Sequence, residues 1–105
     1  MSHPVHEPVV SVIRKATSLM DDLLRGRIDV DAYAGKLKEL DVEAIMVTHE
    51  EDFKKDVRLV YYLDALMLLS SLQHELDFQV AEYGTNVALE DMRCLQELEH
   101  KFPQS

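Results

Sequence analysis

A chain of 105 residues, 47% hydrophobic and 30% charged, has the composition of one soluble globular domain with a small core and no second domain. Its formal charge of −9 argues against nucleic acid and anionic membrane as direct partners, since phosphate repels such a surface and no basic stripe offsets it; a basic protein surface would be attracted, although solubility alone is enough to account for the charge. The single cysteine, Cys94, excludes an intrachain disulfide and a cysteine zinc cage, and the three glycines and three prolines leave few turn signals, so long helices with short connections are expected.

Residues 1–7 read as a loose tail, and 8–102 as a single helical domain. The opening MSHPVHEPVV has neither a basic start nor a long apolar stretch, so it is not read as a signal peptide and a cytoplasmic location is expected. Pro8 suits the first turn of a helix over 8–25, whose apolar stripe is Val9, Val12, Ile13, Ala16, Leu19, Met20, Leu23 and Leu24. Gly26 stands where a left-handed stop is needed, with Arg25 and Arg27 at the negative helix end. Asp29 is the expected N-cap of a second helix carrying Val30, Tyr33, Ala34, Leu37 and Leu40. The stretch 41–47 either continues that helix or forms a separate turn.

Thr48-His49-Glu50-Glu51 has the form of a capping box and predicts a third helix over 48–83, stopped by Gly84. Within it, VRLVYYLDALMLLSSL (57–72) is almost wholly apolar. At about 100° per residue Arg58, Asp64, Ser70 and Ser71 fall at roughly 0°, 240°, 120° and 220° and do not share one face, so this helix has no polar side. It would also be about 50 Å long, against a diameter of roughly 35 Å for a domain of this size. Either it breaks, with Ser70-Ser71 as the expected place, or it projects and pairs with another chain; apolar surface all round favours pairing, as a homodimer. The stretch is shorter than a membrane span and holds Arg58 and Asp64. Thr85 or Asn86 caps a fourth helix to about Lys101, with Val87, Ala88, Met92, Leu95, Leu98 and Phe102 inward. The expected fold is all-α, a four- to five-helix bundle with a long central apolar helix.

No residue is assigned a catalytic, cofactor-binding or metal role. Glu97-x-x-His100 is half of a di-iron pattern; His74, Glu75 and Glu82 could contribute ligands, but the second matching pair is missing. His49 and Asp52 share a face in an acidic first turn, which the helix dipole explains. His3 stands third from the start, a copper or nickel register only with a free Met1 amine. Cys94 reads as a half-buried small hydrophobe. Gly26, Gly35 and Gly84 are isolated, so no phosphate loop is present. Asp64, among Tyr61, Tyr62, Leu63 and Leu66, reads as a core aspartate needing a donor from Tyr61, Arg14 or Arg93, or else as a ligand group. Tyr61, Tyr62, Asp64 and Leu68 are the interface candidates, tyrosine being suited to an interface wet at its edge.

The run 23–33, LLRGRIDVDAY, resembles the helix–turn–helix joint of small bacterial immunity proteins of the colicin type, which are also short, acidic and helical. The first functional expectation is a non-enzymatic acidic helical protein acting through self-association and protein–protein interaction. An immunity or inhibitor protein that masks a basic toxin surface, or a small chaperone shielding a partner's amphipathic helix, is the second. A small-molecule or metal-binding bundle is the third.

Overall fold

Helix α1 spans His6–Leu24 and buries Val9, Val12, Ile13, Ala16, Met20 and Leu23, the stripe that its three- and four-residue spacing predicts, together with Val10. It belongs to a computed structural model that describes residues 4–84 and 87–102, the side chains of 76–83 excepted. The helix begins inside the expected tail: Val5 is fully buried, and His6 Nδ1 lies 2.7 Å from the Tyr62 hydroxyl. Pro8 falls in the first turn, where its missing N–H forfeits no intrahelical bond. At the other end Gly26 takes φ +74°, and the N–H groups of Gly26 and Arg27 donate to the carbonyls of Leu23 and Asp22, so the last carbonyls are satisfied as a left-handed glycine allows.

Helix α2 covers Val30–Lys38, with the Asp29 carboxylate accepting from the Ala32 N–H at 2.8 Å as its N-cap. Helix α3, Val42–Thr48, answers the open question over 41–47: it is a separate short helix. Thr48 is its last residue and caps nothing; His49 bends the chain, and α4, Glu50–Lys55, follows.

The predicted helix over 48–83 is broken, at Asp56 rather than at Ser70-Ser71. Asp56 is extended (φ −123°, ψ 104°), and its carboxylate accepts from the Arg58 backbone N–H at 3.0 Å while pairing with the Arg58 guanidinium at 2.8 Å. An aspartate that satisfies a nearby N–H this way offers the backbone an alternative to the helical ladder. A 3₁₀ turn, Val57–Leu59, then buries Leu59 and leads into α5, Val60–Tyr83, which continues unbroken through Ser70 and Ser71. The 24 residues of α5 fit within the 39 Å long axis of the molecule, so the length conflict disappears. Helix α6, Val87–His100, completes the chain, and the proposed caps Thr85 and Asn86 lie outside the described residues.

Helix α6 packs against both α1 and α5, while α2 and α3 close over α1 and α5. Helices α1 and α5 start at one end, where α6 finishes: His6, Tyr62 and Phe102 meet there, the last two rings 4.3 Å apart. The inner side of α5 gives Tyr62, Ala65, Leu66, Leu69 and Leu72 to the core, opposite Ile13, Met20, Leu37 and Leu95. Gln73 ties the end of α2 and the turn after it to this helix, its amide Nε2 donating to the carbonyls of Leu37 (2.8 Å) and Leu40 (2.9 Å), each of which also accepts a backbone N–H. The described residues thus form an all-α bundle of six helices.

Candidate interaction surface

Over positions 60–68, folding leaves the outer side of α5 only partly covered by its own chain. Residues on this outer side include Val60, Tyr61, Asp64 and Met67, all exposed, and the half-buried Leu63 and Leu68. Among the described residues the large apolar side chains that stay exposed are Val47, Val57, Val60, Tyr61 and Met67, all between positions 47 and 67. Val57 is 85% exposed, Val47 73% and Met67 52%. Leu63 also faces Met46 and Val47 of α3 and Phe53 of α4 across a groove of about 370 Å³, with Glu50 and Lys54 on its rim. Val60 and Met67 extend the groove's α5 wall by one turn in each direction, since positions 60, 63 and 67 share a helical face. An apolar patch of this kind, bordered by charge, marks an interaction site more often than a chance exposure.

The rim is electrostatically uneven. Lys54 Nζ lies 3.3 Å from Glu50 and 3.9 Å from Glu51, and Arg58 is held by Asp56, so both cations are already committed. Lys101 stands 5.5 Å above the Tyr61 ring. Asp64 is exposed and has neither a hydrogen bond nor an ion pair among the described residues. The expected burial of Asp64 is therefore corrected: at its helical position it faces solvent, and Arg14, one of its expected donors, sits 3.7 Å from Glu99 instead.

No known protein family, curated protein or solved structure matches this chain. The immunity-protein likeness of 23–33 accordingly rests on a local joint, the glycine stop of α1 followed by the aspartate cap of α2.

Of the interface candidates, Tyr61, Asp64 and Leu68 fall on the outer side of α5. Tyr62 does not: it is in the core of its own chain, 1% exposed, because its position aligns with Ala65, Leu66 and Leu69 and its hydroxyl finds His6. Burial moves its phenol above the ordinary tyrosine value. The residues weighed for metal binding stay apart. Glu97 and His100 are exposed on α6, His74 pairs with Glu43 at 3.5 Å, and His49 with Asp52 at 3.3 Å. Among the described residues no cluster of three or more His, Cys, Asp and Glu side chains converges. His3 lies outside the described residues, and Cys94 is exposed rather than half-buried.

Sequence reasoning missed one polar pair. Tyr33 is fully buried, its hydroxyl has no hydrogen-bond partner among the described residues, and neither does Asp91 Oδ2, which is likewise sealed from solvent. Burial, with the neighbouring Glu90, pushes the Asp91 carboxyl up to about 6; burial, with Asp91, moves the Tyr33 phenol far above its ordinary value. The signal was present in the helical spacing. Asp91 stands three residues after Ala88 and four before Leu95, on the inner stripe of α6. Neither Tyr33 nor Asp91 lines any of the three described grooves.

Proposed function

We propose that this chain is a non-enzymatic interaction protein that works by presenting the apolar face of α3, α4 and α5 to other protein surfaces, by self-association or by binding a different protein. One observation supports this above all. Among the described residues the large apolar side chains left exposed all fall between positions 47 and 67, and Val47 is one of the side chains lining a groove that α3, α4 and α5 build together, instead of being scattered over the whole surface. The inhibitor-type reading, in which an acidic protein masks a basic surface, is a special case, favoured by the charge of −9.

The test is site-specific photo-crosslinking. A photoreactive residue at Met67 is expected to give discrete adducts, with a second copy or with another protein, whereas the same residue at Ser18, exposed on α1, gives none. Equal yields at the two positions, or no adduct at Met67, would overturn the reading.

A further inference from the structure

The occupant of this face is open to a physical argument, which rests on the interaction reading above. Whatever covers Val60 and Met67 must also cover Asp64, which lies between them on the same side of α5. A carboxylate taken out of water without a counter-charge is strongly disfavoured, so the covering surface must bring a cation to it. A second copy is poorly equipped to do so. Two chains of charge −9 repel, and the stretch 41–67 that builds the face holds seven acidic residues against three basic ones. Of those three, Lys54 is held by Glu50 and Arg58 by Asp56, which leaves Lys55, exposed and unpaired among the described residues, as the ready donor of that stretch, and Lys101 beside it is engaged over the Tyr61 ring. The groove itself has an apolar floor and two helical walls, a form suited to the apolar side of another helix.

We infer that the groove and the outer stripe of α5 receive a basic amphipathic helix of a partner protein, its apolar residues entering between Phe53 and Leu63 and a lysine or arginine meeting Asp64. Apolar burial holds the complex, and charge selects the partner and speeds encounter. Salt therefore weakens it.

Fluorescence anisotropy with three synthetic peptides tests this on the full chain. The first has leucines at three- and four-residue spacing with lysine flanks, the second the same leucines with glutamate flanks, and the third the first composition scrambled. The lysine amphipathic peptide is expected to bind about tenfold or more tightly than either control. Asp64→Lys and Met67→Glu, both at exposed positions, are each expected to lower that affinity about tenfold with helicity and thermal midpoint unchanged. Equal binding of the scrambled peptide, or full affinity in both variants, overturns the proposal by showing adsorption to the acidic surface at large. Sedimentation separates the remaining outcomes. A dimer that tightens with salt and is lost on Lys55→Glu would place a second copy on the face, overturning this occupant while keeping the interaction reading. A monomer that binds no peptide would overturn this occupant, while the interaction reading stands or falls with the crosslink at Met67.

Discussion

The two sides of α5 are built from nearly the same residues and have opposite fates. Tyr62, Ala65, Leu66, Leu69 and Leu72 are shut inside the bundle, while Val60, Tyr61 and Met67 remain in water. Hydropathy cannot separate these sets, because a helix that is apolar all round has no preferred side. What separates them is the supply of neighbours: α1, α2 and α6 cover one side, and the short α3 and α4 reach only the edge of the other, where they leave a groove instead of a lid. The aspartates of α5 and α6 make the same point in reverse. Asp64, in the greasier sequence, is exposed, and Asp91, in the more polar helix, has an oxygen sealed from solvent.

The comparison breaks most visibly at Leu66. Leu66→Ala should cost about 3 kcal/mol, because a fully buried leucine leaves a cavity as well as lost apolar transfer; chemical denaturation measures it, and a loss below about 1 kcal/mol would mean that the inner side is not packed as described.

A second, smaller effect sharpens the contrast between the aspartates. The Asp91 carboxyl, ordinarily near 3.8, is raised to about 6 on folding, so the folded chain holds this proton more tightly than the unfolded one. Its contribution to stability is therefore fully present below about pH 4 and is lost as pH rises through about 6. Asp91→Asn should remove that loss: the thermal midpoint rises above wild type near pH 8, and the two coincide near pH 4, within about a degree. A variant gain that is equal at both ends, or absent, would sink the assignment.

The smallest expected effect is at Met67. Met67→Ser should change stability by no more than about 0.5 kcal/mol in the isolated chain, since the side chain covers little of its own protein. A much larger loss in denaturation would mean that the outer side is already occupied, by a second copy above all, and concentration dependence of the midpoint would identify it.

Much of the bundle was readable beforehand because its signals are local. The stripe of α1, the glycine stop at Gly26, the Asp29 cap and the inner stripe of α6 each depend on residues within one or two turns. The break at Asp56 was missed for a reason that is also local: an aspartate two residues before an arginine competes with a capping box at Thr48, and periodicity ran straight through both. Of the residues singled out, Tyr61, Asp64 and Leu68 fall on the outer side of α5, whereas Tyr62 belongs to the core, and the groove residues Met46, Val47 and Phe53 went unseen. Those three come from helices too short for a clear stripe, and they join Leu63 only after the chain has turned twice.

Unaided, the sequence determined that this protein is helical, roughly where α1, α2 and α6 begin and end, and that 57–72 is a segment with no polar side, because propensity, capping and spacing are set by near neighbours along the chain. The tertiary structure alone decided which side of that segment faces water, which aspartate is sealed, and that three separate helices share one groove. Burial depends on what packs opposite, and nothing in a uniformly apolar helix says from which direction its neighbours will come.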